Sequence, residues 1–92
     1  MSEPAENIWA SLIFNVDRAY TLGLITKADV RAGLKDKVTN ANKQHQSGKH
    51  ATEANNLAAF VEQLLAQRGK AVQTATADRF IAYARDLIAR GA

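Results

Sequence analysis

The chain has 92 residues, of which 47% are hydrophobic and 23% are charged, and its formal net charge is +3. This is the length of one small domain, and the composition is that of a globular protein rather than a disordered one. Five glycines and one proline are too few for a turn-rich β-sandwich, and the absence of cysteine excludes disulfides, thiolate nucleophiles and cysteine-bound metals.

Hydrophobic periodicity predicts four helices, at about 3–22, 27–47, 51–68 and 77–90. A capping box from Thr26 to Asp29 marks the start of the second helix, and Thr76 with Asp78 marks the start of the fourth. Glycine suits the left-handed residue that ends a helix, because it has no Cβ to clash there. Glycines follow the four periodic stretches, at positions 23, 48, 69 and 91.

Each predicted helix carries one apolar stripe at helical spacing. The stripes of the first two helices are Ile8, Trp9, Leu12, Ile13, Val16, Ala19 and Tyr20, then Val30, Leu34, Val38 and Ala41. Those of the last two are Ala54, Leu57, Ala58, Val61, Leu64 and Leu65 with Phe60 at the edge, then Ala77, Phe80, Ile81, Ala84, Leu87 and Ile88. Four such helices with short connections predict an all-α fold, a small antiparallel four-helix bundle with little room for a pocket.

Residues 43–50 read KQHQSGKH and place two histidines around a Ser-Gly-Lys turn. A Walker A loop is excluded, because Lys43 stands where a glycine is required and no strand is predicted before it. A zinc site is the weaker interpretation, since His45 and His50 are the only histidines and Glu53 is the nearest acid. His45 also continues the apolar stripe of the second helix, which favours packing at the end of the bundle. We therefore predict an interhelical turn and no metal ligand.

No catalytic residue is predicted. Ser47 lies beside the two histidines, but on a loop without a buried acid to orient an imidazole. Paired carboxylates such as Asp29 and Asp36 occur on any helical surface, and nothing in the sequence places them in a cleft. We predict that the chain is not an enzyme and that it binds no cofactor.

Two surface features are candidates for interaction with a partner. Phe14 lies nearly opposite the apolar stripe of the first helix, so it is either an exposed contact or covered by a bundle that surrounds this helix on two sides. Lys27, Arg31 and Lys35 recur every four residues on the second helix and form a basic ridge. Acidic residues interrupt that helix and no aromatic side chain interleaves for base stacking, so a solvated face is favoured over a site for an anionic glycan or nucleic acid.

The most specific stretch of the chain reads NNLAAFVEQLLAQRGKAV, with an L-x-A-F helix followed by a Q-x-G-K turn. The matching positions are Leu57, Ala59, Phe60, Gln67, Gly69 and Lys70. Downstream, ADRFIAYARDLI is similar to an A-D-x-L-I-x-x-A segment, with Phe80 where leucine is commoner. From about Leu12 to Ile88 the chain resembles the FIMAH domain, a small helical module of bacterial extracellular proteins.

This resemblance implies a non-catalytic accessory module, acting as an interaction or spacer unit of a larger bacterial extracellular protein that processes glycans or proteins. The implied partners are neighbouring domains or another protein, with an anionic glycan as an alternative ligand, and the module is expected to be a monomer or a weak dimer. No apolar run approaches the ~20 residues of a membrane span, and the start MSEPAEN is not a signal peptide, so secretion requires a larger parent. The alternative is a free-standing cytoplasmic helical protein that regulates others or binds nucleic acid.

Overall fold

The computed structural model describes residues 6–90, with side chains from residue 8 onward, and this range forms four helices. They are α1 (Glu6–Thr21), α2 (Ala28–Gln46), α3 (His50–Gln67) and α4 (Thr74–Arg90). No strand occurs between residues 6 and 90, and the predicted all-α bundle is confirmed. The ends of α2 and α3 lie within one residue of the prediction, whereas α4 begins three residues earlier. No helix in this range is long and apolar enough to span a bilayer.

The helices pack in chain order, α1 against α2, α2 against α3 and α3 against α4. No comparable interface joins α1 to α4. The predicted stripes of α1, α2 and α4 are buried or partly buried in the shared core. The largest side chains that are fully buried there are Trp9, Phe60, Leu12, Ile25, Leu34, Leu57, Leu64 and Leu87.

The buried face of α3 differs from the predicted stripe. Phe60, expected at the edge, is fully buried, while Leu65 is 44% exposed. Ala58 is also exposed, and Glu53 is buried on the core side of the helix. The reason is that α3 lies between α2 and α4 and contacts both, so its buried arc turns toward Phe60.

One end of the bundle is closed by two loops that pair with each other. Ile25 and Val72 form an antiparallel bridge, and both side chains are buried. The Thr26 N–H donates to the Ala71 carbonyl at 2.8 Å, and the Gln73 N–H donates to the Leu24 carbonyl at 2.8 Å. These bonds tie the start of α2 to the start of α4.

The predicted caps of α2 and α4 are both wrong, because the paired loops use their residues differently. Lys27 is the N-cap of α2 and makes no side-chain cap, while the Thr26 hydroxyl donates to the Ala71 carbonyl at 3.3 Å. In α4, Thr76 lies inside the first turn and its hydroxyl donates to the Gln73 side chain. Gln73 is held by the neighbouring loop, so α4 starts immediately after it.

The predicted glycine stops are confirmed at three positions. Gly23, Gly48 and Gly69 all have φ between 74° and 78°, the left-handed conformation that favours glycine. Gly48 closes the turn between α2 and α3, where the Lys49 N–H donates to the Gln44 carbonyl. The predicted stop at Gly91 lies outside the described residues.

Candidate binding groove and a histidine–glutamate cluster

Phe14 projects from α1 with 63% of its surface exposed. The bundle therefore does not cover α1 on this side. Phe14 precedes Arg18 by one turn, so the two side chains are about 40° apart around the helix. The exposed ring therefore lies near Arg18 on the surface of α1.

The basic ridge of Lys27, Arg31 and Lys35 is partly neutralised by α1. The Lys35 ammonium lies 3.0 Å from Asp17 Oδ2, and the Arg31 Nε lies 3.9 Å from Asp17 Oδ1. The Arg31 guanidinium also stacks over the ring of Tyr20 at 4.4 Å, a cation–π contact. Two of the three ridge residues thus contribute to the α1–α2 interface, and only Lys27 is fully on the surface.

An open groove of about 590 Å³ lies in the seam between α1 and α4. Leu12, Ala19 and Phe80 form its buried floor, and Leu22, 60% exposed, stands at its margin. This open surface groove is not predicted by the apolar stripes, which indicate little room for a pocket. The groove exists because α1 and α4 do not close against each other, and because short side chains such as Ala19 and Thr76 line the seam.

The α1–α4 groove is positively charged at its rim. Arg18 and Arg79 line it, are exposed, and form no ion pair with any carboxylate between residues 8 and 90. Asp78, the neighbour of Arg79 in the chain, is engaged elsewhere, since Arg68 donates to both of its oxygens at 2.6 and 2.9 Å. These bonds from Arg68 hold the pKa of the Asp78 carboxyl below its usual range. The groove therefore offers an apolar floor beside two guanidinium groups that no carboxylate between residues 8 and 90 neutralises.

A second region lies at the opposite end of the bundle, where α2 turns into α3. His45, His50 and Glu53 come together there and are called the His–Glu cluster below. The Nδ1 atoms of His45 and His50 lie 3.3 and 3.0 Å from the same oxygen, Glu53 Oε1. Glu53 is 1% exposed, and its other oxygen, Oε2, is buried without a hydrogen-bond partner in the described part of the chain.

The His–Glu cluster is covered on the core side and open on the solvent side. The ring of Trp9 lies 5.7 Å from that of His45 and is almost fully buried. The two imidazole rings meet edge to face at 5.8 Å. The His50 side chain is 59% exposed, so solvent reaches the cluster through His50.

Both histidines lie at the interhelical turn that their sequence context predicts, whereas no role is predicted there for Glu53. Two signals were present. His50 and Glu53 have the i, i+3 spacing that places side chains on one face of a helix. Glu53 also precedes Leu57, Phe60 and Leu64 in the buried line of α3, where an acid is unusual unless it is paired.

The two regions differ in the ligands that they can accept. The α1–α4 groove presents apolar surface and guanidinium groups, whereas the His–Glu cluster presents two imidazole nitrogens and one carboxylate. Comparisons of the chain with protein-family models, with curated proteins and with solved structures gave no match.

Proposed function

We propose that this chain is a non-catalytic interaction module that docks an apolar, acidic segment of a partner protein in the α1–α4 groove. The observation that carries the proposal is the open seam, in which an apolar floor lies beside Arg18 and Arg79. The resemblance to FIMAH modules favours a partner segment from a neighbouring domain of a larger bacterial extracellular protein.

The chemistry of the groove defines this partner. Leu12, Ala19 and Phe80 offer a floor for a few anchoring apolar side chains, each worth about 1.5–3 kcal/mol when fully buried. Asp or Glu residues flanking those anchors would accept paired hydrogen bonds from Arg18 and Arg79. An amphipathic helix with anchors at i, i+3 or i+4 and i+7 meets both conditions.

Two observations favour this function over the alternatives. Arg31 and Lys35 interact with Asp17 rather than forming a free basic surface, which speaks against a nucleic-acid or glycan site on the basic ridge. Among the described residues that line the groove, no nucleophile is paired with a general base, which supports binding over catalysis.

Selection of peptides from a random display library on the immobilised chain tests the proposal. Enriched peptides should combine apolar residues at helical spacing with Asp or Glu. For a selected peptide, Arg18→Gln and Arg79→Gln should each weaken binding by about tenfold or more, as measured by fluorescence polarisation. Arg85→Gln is the matched control, since Arg85 is exposed on α4 outside the groove and should leave affinity unchanged.

Two results would contradict the proposal. One is enrichment of peptides without acidic residues whose binding is indifferent to Arg18 and Arg79. The other is salt-sensitive retention on DNA or heparin that falls when Lys27, Arg31 and Lys35 are substituted, which would favour the nucleic-acid or glycan alternative.

A further inference from the structure

The His–Glu cluster has the composition of a transition-metal site. Imidazole nitrogens and a carboxylate are ligands that zinc and its neighbours in the first transition row accept, whereas calcium and magnesium prefer oxygen alone. Two histidines and one carboxylate with an open position are a ligand set found in zinc sites that keep a bound water. The three side chains of the cluster offer this set, and one ligand atom from each lies within 4.8 Å of the other two.

The two separations between Glu53 and the histidines are also close to those of a ligand shell. Zinc–nitrogen and zinc–oxygen bonds of about 2.0–2.1 Å in a tetrahedron place neighbouring ligand atoms about 3.3 Å apart. Glu53 Oε1 lies 3.3 Å from His45 Nδ1 and 3.0 Å from His50 Nδ1. The carboxylate oxygen therefore already stands at ligand-shell distance from both nitrogens.

Glu53 supplies an independent indication. Its side chain is 1% exposed, and Oε2 has no hydrogen-bond partner among the described residues. Leaving a buried carboxylate oxygen unsatisfied is costly, and a divalent cation compensates buried negative charge more fully than hydrogen bonds to one oxygen.

The ligands are held by the fold in advance. His45 lies in the last turn of α2 and is backed by Trp9, while Glu53 is fixed in the core face of α3. His50, the first residue of α3, completes the set from the solvent side. Binding through these residues would join the end of α2 to the start of α3 across the turn at Gly48.

We propose that His45, His50 and Glu53 bind one divalent transition-metal ion of the Zn²⁺ class, through both Nδ1 atoms and the Glu53 carboxylate. Water completes the coordination on the exposed side of His50. The ion stabilises the α2–α3 turn, because it binds the folded arrangement and not the unfolded chain. This site is independent of the α1–α4 groove, which lies in a different part of the bundle.

Zinc titration of the untagged chain by equilibrium dialysis tests the site directly. The background is low, because the sequence contains two histidines and no cysteine. One Zn²⁺ per chain should bind saturably, and the melting temperature should rise with zinc concentration. His50→Gln and Glu53→Gln should each lower the affinity by at least about tenfold, whereas Glu62→Gln, an exposed acid on the same helix, should not.

Trp9 provides a second readout at the site. It is the only tryptophan, and its ring lies 5.7 Å from that of His45. Paramagnetic Co²⁺ should quench its fluorescence in the parent chain but not in His50→Gln, a surface substitution that leaves the core intact. Excess Zn²⁺, which has a filled d shell, should restore the emission by displacing Co²⁺.

Three results would overturn the proposal. The first is the absence of saturable zinc binding up to about 1 mM, a Kd that corresponds to a binding free energy of only about 4 kcal/mol. The second is an unchanged zinc affinity in His50→Gln. The third is Trp9 emission that does not respond to Co²⁺. Any of these would leave the cluster as two imidazoles hydrogen-bonded to one buried carboxylate.

Discussion

Truncation of Phe60 to alanine should remove a large part of the folding free energy of the bundle. The side chain is fully buried, and its ring meets that of Phe80 edge to face with centroids 6.2 Å apart. Phe→Ala changes in a core cost about 3–5 kcal/mol, of which an aromatic pair of this geometry contributes about 0.5–1.5. At about 0.05–0.15 kcal/mol per residue, a chain of 92 residues has about 5–14 kcal/mol in all.

Urea denaturation followed by far-UV circular dichroism measures this loss. With m of about 1–2 kcal/mol/M, a loss of about 3–5 kcal/mol lowers the urea midpoint for Phe60→Ala by about 1.5–5 M, or leaves the variant unfolded without urea. Phe60→Leu keeps most of the volume and should cost between about 1 and 2 kcal/mol, so the effect stays measurable if the alanine variant does not fold.

Phe14→Ala is the matched control, because it removes the same side chain from a position that is 63% exposed. Its effect on the unfolding free energy should stay within about 0.5 kcal/mol. Equal losses for Phe14→Ala and Phe60→Ala, or a loss below about 1 kcal/mol at Phe60, would refute the burial of α3 described above.

Two further substitutions test the structure at other points. Gly33→Ala in α2 should stabilise the helix by up to about 1 kcal/mol, because alanine has the higher helix propensity. The gain is reduced by the cost of moving the side chain of Gln63, whose flexible amide would lie 2.8 Å from the added Cβ. Thermal unfolding gives the sign, and a clear loss would mean that Gln63 is held in place. Asp78→Asn should destabilise at neutral pH, because the hydrogen bonds from Arg68 lower the Asp78 pKa, and a lowered carboxyl pKa stabilises the fold above the ordinary value of about 4. This difference from the parent should vanish as the pH falls through the lowered pKa of Asp78. The control is Asp36→Asn, which should leave the stability at neutral pH unchanged, because Asp36 is exposed and forms no ion pair in the described range.

The sequence by itself determined the four helices and most of their inward faces. The stripe of α2 is the clearest case, since Val30, Leu34, Val38 and Ala41 are all buried as predicted. The turn glycines were equally predictable, because only glycine adopts a positive φ at low energetic cost. Both features are local: one is the spacing of apolar residues along a helix, and the other is the backbone conformation of a single residue. A single sequence is enough to predict them.

Only the tertiary structure decided how wide each buried face is and which polar side chains meet. Phe60 is in the core because α3 has a helix on two sides, and the α1–α4 groove is open because those two helices do not close. The same packing brings Asp17 to Lys35, and Glu53 to His45 across the turn. The spacing of apolar residues along one helix records which side chains avoid water, but the number and position of the helices that cover them depend on contacts between segments far apart in the chain.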